Sequence, residues 1–94
     1  MADPTVWQSL FEQWPEGVPR RGIVVTRFGD QVPFESFLIR DQLLLLERNA
    51  PDQVGARKVI LQFAEIEAVK IVDPIRTKVF VAAGFVESAA APVG

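Results

Sequence analysis

Four consecutive leucines, Leu43–Leu46, are the feature that most limits how this chain can fold. They follow Asp41-Gln42 and are followed by Glu47. A short run of large apolar residues points side chains to both faces of a sheet, and it is stable only where both faces are covered. The run therefore predicts a central β-strand in which all four leucines are buried.

The composition limits the classes of protein to which the chain can belong. Apolar residues make up 49% of the 94 residues and charged residues 23%, a balance typical of one folded globular domain. A formal net charge of -2 gives no overall positive field that would attract nucleic acid or an anionic membrane. The chain has no cysteine and no histidine, so it has no thiolate and lacks the commonest general base near neutral pH.

These absences predict a non-enzymatic protein with no catalytic residue, no cofactor and no metal site. The chain shows no leader-like start and no apolar run of the roughly 20 residues that a membrane span needs. Together with the lack of cysteine, this predicts a cytoplasmic location and no membrane partner. We also expect no small-molecule substrate.

The first predicted element is a helix over residues 4–14. Asp3-Pro4 favours a helix start because the Asp carboxylate accepts hydrogen bonds from unpaired amides, and Pro has no amide to leave unpaired. Pro15 is expected to end the helix. We expect one apolar face to cover the open end of the core, and docking on a partner protein is the alternative. The residues of that face are Trp7, Leu10, Phe11 and Trp14.

Five β-strands are predicted within residues 21–72. The first covers 23–28, the second 31–39 and the third is the leucine run. The fourth, residues 57–64, and the fifth, residues 66–72, are joined by a very short link. Short strands joined mainly by tight turns predict a mainly β protein, a small five-stranded bent barrel with helices at its ends.

The second predicted strand carries a break in its alternation. Val32 and Phe34 share one face of an ideal strand, whereas Phe37 and Ile39 share the other. A regular strand would therefore expose one of the two pairs. A bend or bulge near Glu35-Ser36 brings both pairs to the same side, which predicts that this strand crosses between two walls of the barrel.

The last element, residues 74–83, is predicted as a short C-terminal helix. An Asp-Pro pair precedes it, and Gly84 suits the left-handed position that follows a helix. The β-branched run Val79–Val81 leaves a sixth strand as the alternative. Residues 1–88 are thus expected to form a single domain, followed by a disordered tail over residues 89–94.

Three local sequences stand out beside the order of these elements: Gly29–Phe34, Asp41–Glu47 and Val59–Val69. Together they resemble the Sm-like (LSm) family of small β-barrels. Gly29–Phe34 lies where the family has a Gly-containing turn and its second strand. Asp41–Glu47 is similar to the family's Asp, apolar run and acidic end, and Val59–Val69 is similar to its second motif. The resemblance covers residues 22–72 and the N-terminal helix, and it implies a barrel of the Sm-like or SH3-like kind.

The resemblance also implies a homo-oligomer. Members of the family form rings of six or seven subunits by pairing strand four of one subunit with strand five of the next, and many bind RNA around the pore. We therefore expect this chain to be an oligomeric assembly or protein-interaction module of Sm-like type. The residues implied at the pairing edges are Val59, Leu61, Phe63, Ile66, Val69 and Ile71.

The family's RNA-contact residues are not present. Leu45 stands where the family has a base-contacting Asn, and Gln62-Phe63 stands in place of its Arg-Gly pair. The usual Gly at the strand-two bend is also missing. Leu, Gln and Phe cannot replace an amide that reads base edges and a guanidinium that pairs with phosphate. An RNA-binding ring that uses local basic clusters is the alternative function, and ordinary surface charge is the other interpretation of these clusters. Their residues are Arg20, Arg21, Arg57, Lys58, Arg76 and Lys78.

Overall fold

The computed structural model describes residues 4–87, which form a mainly β structure. Two antiparallel sheets of three strands have the orders β2-β1-β6 and β3-β4-β5, called here the β1 sheet and the β4 sheet. Neither helix within the described residues is long and apolar enough to cross a membrane. The predicted tail, residues 89–94, lies outside this part of the chain. The elements are α1 (Pro4–Glu12), β1 (Gly22–Thr26), β2 (Gln31–Phe34), β3 (Ser36–Arg40), β4 (Leu43–Glu47), β5 (Lys58–Gln62), a 3-10 turn (Phe63–Glu65), β6 (Ile66–Lys70) and α2 (Thr77–Ala82).

The leucine run forms β4, the central strand of its sheet, as predicted. Leu44 and Leu46 are fully buried, whereas Leu43 and Leu45 point to the other face and are only half-buried. The expectation that all four leucines are buried is therefore wrong. The sheet covers one of its faces with core and leaves the other partly in solvent, as antiparallel sheets commonly do.

The predicted break in the second strand is a bend at Glu35 that divides the strand into β2 and β3. Phe34 and Phe37 are both buried, so the change of parity brings the two apolar pairs to one core. The amide of Glu35 donates to the carbonyl of Glu47 at 2.8 Å, which fixes the bend to β4. Because of this division residues 4–87 contain six strands where the sequence predicted five.

The third strand of the β1 sheet is β6, which pairs with β1 so that Ile23 lies opposite Lys70. Gly22 is buried, and a Cβ atom at this position would lie 2.5 Å from the carbonyl oxygen of Lys70. No side chain fits at that distance. Glycine is therefore required where the two backbones approach each other.

Helix α1 packs into the core through Phe11, which is 1% exposed. The Phe11 ring meets the Phe37 ring edge to face at 4.9 Å between centroids, and it lies 6.0 Å from the Phe63 ring. Such arrangements stabilise aromatic clusters beyond the burial of their area. The helix ends at Glu12 rather than at the predicted Trp14, because the residue before a proline is driven out of helical geometry.

The C-terminal element is a helix, α2, and not the alternative sixth strand. Gly84 has φ +110°, and its amide and that of Phe85 donate to the carbonyls of Val81 and Phe80, each at 3.0 Å. These two bonds form a Schellman motif. The helix starts three residues later than predicted, after an extended Arg76, and it buries none of its residues.

Candidate assembly surface

The strands β5 and β6 are the outer strands of the two sheets. Within residues 4–87 each pairs with one neighbour only, β5 with β4 and β6 with β1, and they do not pair with each other. The remaining outer strands, β2 and β3, flank the bend, where Pro33 has no amide to donate. β5 and β6 are thus the edges that the fold leaves open to a further strand.

Four of the six predicted edge residues lie where another chain can reach them. Val59 and Leu61 lie opposite the buried Leu46 and Leu44, so they face inward, but they are only half-buried. Val69 lies opposite the buried Val24 and is also half-buried, as is Ile71 just beyond the end of β6. Each open edge therefore carries inward apolar side chains that the single chain does not fully cover.

Phe63 and Ile66, the other two predicted edge residues, are 0% exposed and belong to the core. The 3-10 turn begins at Phe63 and ends the alternation that the sequence suggested for this stretch. The amide of Phe63 donates to the carbonyl of Gln42 at 3.1 Å, and the amide of Arg27 donates to that of Glu65 at 2.9 Å. These bonds hold the turn between the two open edges in place, and the two buried side chains are not available to another chain.

The outer face of the β4 sheet carries an apolar row that the sequence analysis missed, called here the outer stripe. Leu38 lies opposite Leu45, which lies opposite Ile60, so the three side chains cross the sheet in line. Leu38 is 54% exposed and Ile60 is 62% exposed. Leu38 and Ile60 alternate with buried or half-buried neighbours in the structure, but each lies in an unbroken apolar run of the sequence, which does not show which residues face outward. The stripe ends at the open edge of β5.

Beside the outer stripe lies a polar row formed by Ser36, Glu47 and Lys58. The Ser36 hydroxyl donates to Glu47 Oε1 at 2.6 Å, and Lys58 Nζ lies 3.7 Å from Glu47 Oε2. Lys58, one of the predicted basic contacts, is therefore paired with a carboxylate of its own sheet. This polar row borders the outer stripe on one side.

Two more predicted basic contacts are engaged within the chain. Arg21 makes a bidentate pair with Asp73, with Nη2 to Oδ1 at 2.7 Å and Nε to Oδ2 at 3.0 Å. This hydrogen-bonded pair raises the pKa of Arg21 and lowers the pKa of Asp73. The Arg20 guanidinium lies 5.2 Å from the centre of the Phe37 ring, within cation–π distance. The pair ties the start of β1 to the segment that leads into α2.

The other predicted basic contacts, Arg57, Arg76 and Lys78, are exposed and have no ion-pair partner among residues 4–87. Phe28 is 81% exposed next to the β1–β2 turn, whereas Phe34 and Phe63 are core residues. Exposed cations and an exposed ring are groups that nucleic acids bind. The chain thus keeps some of the groups that the alternative function needs.

Two acidic residues in turns make bonds that hold local structure and leave no sign of a ligand site. Asp52 Oδ1 accepts hydrogen bonds from the amides of Ala56 at 2.8 Å and Val54 at 2.9 Å, which lowers the pKa of Asp52. Asp41 has φ +54° in the β3–β4 turn, and its carbonyl accepts a bond from Gln8 Nε2 of α1 at 3.0 Å. Among residues 4–87 no group of three or more acidic side chains could hold a metal ion.

Comparison of the chain with protein-family models, curated proteins and solved structures finds no match. The candidate site therefore stands on its own geometry: two open strand edges, half-covered apolar side chains on both, and an apolar stripe that reaches one of them.

Proposed function

We propose that this chain is a non-enzymatic assembly module of Sm-like type, in which β5 of one copy pairs with β6 of the next. The observation that carries the proposal is the pair of open edges, β5 and β6, on either side of a fixed turn. An open edge presents unpaired amides and carbonyls, and a further strand satisfies them. Because the two edges differ, the contact is heterologous and repeats from copy to copy, closing as a ring when the rotation allows.

The order of the strands supports the Sm-like part of the proposal. When β2 and β3 are taken as one bent strand, the described part of the chain has five strands in the order β6-β1-β2/β3-β4-β5. The bend, the helix packed against the core and the short β5–β6 connection are the features on which the resemblance to the family depends. A bent five-stranded barrel of this kind leaves its two outer strands for neighbouring subunits.

The proposed contact needs side chains as well as the backbone ladder. A five-residue strand is about 17 Å long, and its ladder alone covers less than the roughly 800 Å² per partner of a typical stable interface. The inward Val59 and Leu61 of one copy would continue the row formed by Val69 and Ile71 of the next. Ile60 would add the outer stripe on the opposite face, so both faces of the joined sheet gain apolar contact.

Gel filtration coupled to light scattering tests the proposal at micromolar concentration. We expect a mass several times the 10.4 kDa of one chain. Ile60→Asp places a charge at the edge of β5 and should reduce the mass. Leu38→Asp is the matched control, because Leu38 has similar exposure on the same stripe but lies on β3. A strict monomer for the native chain would contradict the proposal, and equal loss of mass in both variants would place the contact on the sheet face instead.

RNA binding through local basic groups is the second proposal, supported by the exposed Arg57, Arg76 and Lys78. Oligo(U) and oligo(A) RNA should then bind with an affinity that falls as salt rises, since phosphate contacts release counterions. Replacing the three residues with Gln should reduce the salt dependence. Absence of binding at low salt, or binding without salt dependence, would contradict this proposal and leave the assembly proposal untouched.

A further inference from the structure

Two adjacent cavities lie between α1 and α2. The inner one has a volume of about 410 Å³ and reaches β6, and the outer one has about 370 Å³ and extends toward the solvent side of α1. Both volumes are within the lower range of small-molecule sites. Four residues line both cavities and join them into one elongated space: Trp7, Leu10, Pro15 and Phe85.

The end of α2 builds one wall of this space. The Schellman bond from the Phe85 amide to the Phe80 carbonyl folds the two aromatic rings together, with centroids 6.0 Å apart in an edge-to-face arrangement. Phe80 lines the inner cavity and Phe85 lines both. Since α2 buries none of its residues, this wall is not part of the core that supports the fold.

The space changes in character from one end to the other. Its inner end is formed by Val69, Ile71 and Phe80, whereas Ser9 and Gln13 stand at the outer end. The lining of both cavities, among the described residues, contains no Asp, Glu, Lys or Arg. A charged group placed there would lose its hydration without gaining a counter-charge.

The polar groups of the two tryptophans differ as well. Trp14 Nε1 donates to the carbonyl of Val18 at 3.0 Å. Trp7 Nε1 has no hydrogen-bond partner within residues 4–87, although the Trp7 ring lines both cavities. Trp7 supplies an N–H donor on a ring that lines both cavities, and Ser9 and Gln13 add two polar side chains at the outer one. Together these groups suit a head group that accepts and donates hydrogen bonds without carrying charge.

We propose that this space binds a neutral amphiphile with a linear alkyl chain. The chain lies along Leu10 toward Val69 and Ile71, and the uncharged head lies by Ser9 and Gln13. The elongated shape favours a linear tail over a compact ring system, and the uncharged lining favours an alcohol-like head over a carboxylate or an amine. The proposal is independent of assembly through β5 and β6.

Titration with decanol tests the proposal, because the two tryptophans of the chain both line the inner cavity and report on it. We expect a saturable blue shift of tryptophan emission, since the alkyl chain displaces water from the rings. Decanoate at neutral pH should bind about tenfold more weakly or worse, because its charge finds no partner. Calorimetric titration should show a negative heat-capacity change from the burial of the tail.

Phe80→Glu places a charge in the inner cavity and should weaken decanol binding about tenfold or more. Val54→Glu, in a loop away from the cavities and 89% exposed in the native chain, is the control and should bind as the native chain does. Circular dichroism checks the fold of both variants. Ser9→Ala combined with Gln13→Ala changes only exposed side chains and should weaken decanol severalfold, so the head position is tested without risk to the core.

Four outcomes would overturn the proposal: no saturable response to decanol; decanoate binding as tightly as decanol; Phe80→Glu binding as tightly as the control; or an emission shift that follows protein concentration and not decanol. The last result would assign the space to a second copy of the chain.

Discussion

The two helices carry similar sequence signals and play different parts in the structure. Each has an Asp-Pro pair at or shortly before its start and carries an apolar stripe, yet Phe11 of α1 is 1% exposed and α2 buries no residue. The end signals decide whether a helix forms, and the volume of the side chains on its stripe decides whether it becomes part of the core. In α1 that stripe carries aromatic rings, whereas in α2 it is mostly Val and Ala around one Phe.

Among the substitutions that test this comparison, Phe11→Ala should lower the free energy of unfolding most. It removes a ring in contact with Phe34, Phe37 and Phe63, and truncations of this kind cost about 3–5 kcal/mol. We expect the free energy of unfolding, measured by urea denaturation, to fall by that amount. Phe80→Ala on α2 is the matched substitution and should cost less than about 1 kcal/mol. Equal losses would mean that both helices belong to one cooperative core.

Gly84→Ala should have an intermediate and local effect. A side chain at φ +110° is strained by about 1–2 kcal/mol, and the strain acts on the cap that orients Phe85. The amides of Gly84 and Phe85 are protected by the two bonds that end α2. Their hydrogen exchange should therefore speed up about tenfold. Urea denaturation should change little, because α2 lies outside the core. A large loss of global stability would contradict the assignment of α2 as a separately held element.

The smallest effect should come from the Arg21–Asp73 pair, which ties the segment before α2 to the start of β1. This attachment should weaken as the pH falls. The pKa of Asp73 is lower when folded, so the stabilisation is complete above the unfolded value of about 3.9 and is lost as pH falls through the folded value. Chemical shifts of residues 74–80 should therefore move as the pH is lowered from about 5 to 2. Asp73→Asn should abolish this titration. Asp52→Asn removes another carboxyl group with a lowered pKa and should leave the titration of residues 74–80 unchanged. Persistence of the shifts in Asp73→Asn would show that another group holds the segment.

The sequence predicts the parts of this fold that depend on neighbouring residues. The central position of the leucine strand follows from its local composition, and the bend at Glu35 follows from the change of parity between Phe34 and Phe37. The late start of α2 does not follow from neighbouring residues. The Asp73 carboxylate, which could have capped the helix, is instead bound to Arg21, a residue distant in sequence. The helix is then left to begin after Arg76.

The candidate site was predictable only in part, for a related reason. Periodicity puts Val59, Leu61 and Phe63 on one face of the predicted fourth strand, but it cannot say that the 3-10 turn takes Phe63 into the core. A run of apolar residues also cannot tell a strand covered on both faces from one with an apolar outer face, which is why Leu45 and the rest of the outer stripe were missed. The two cavities depend on where α2 lies, which no local pattern of the chain specifies.

The pairing of β1 with β6 has a consequence for the order of events during folding. The β1–β2 and β3–β4 ladders join neighbouring segments, whereas Ile23 must meet Lys70 across half of the chain. Contacts of such high sequence separation form slowly, because a long loop has to close before they are gained. We therefore expect the β6 edge to be completed late. On the proposed assembly, a newly made chain would then offer a finished β5 edge before its β6 edge is complete, and this would delay association until each copy has folded.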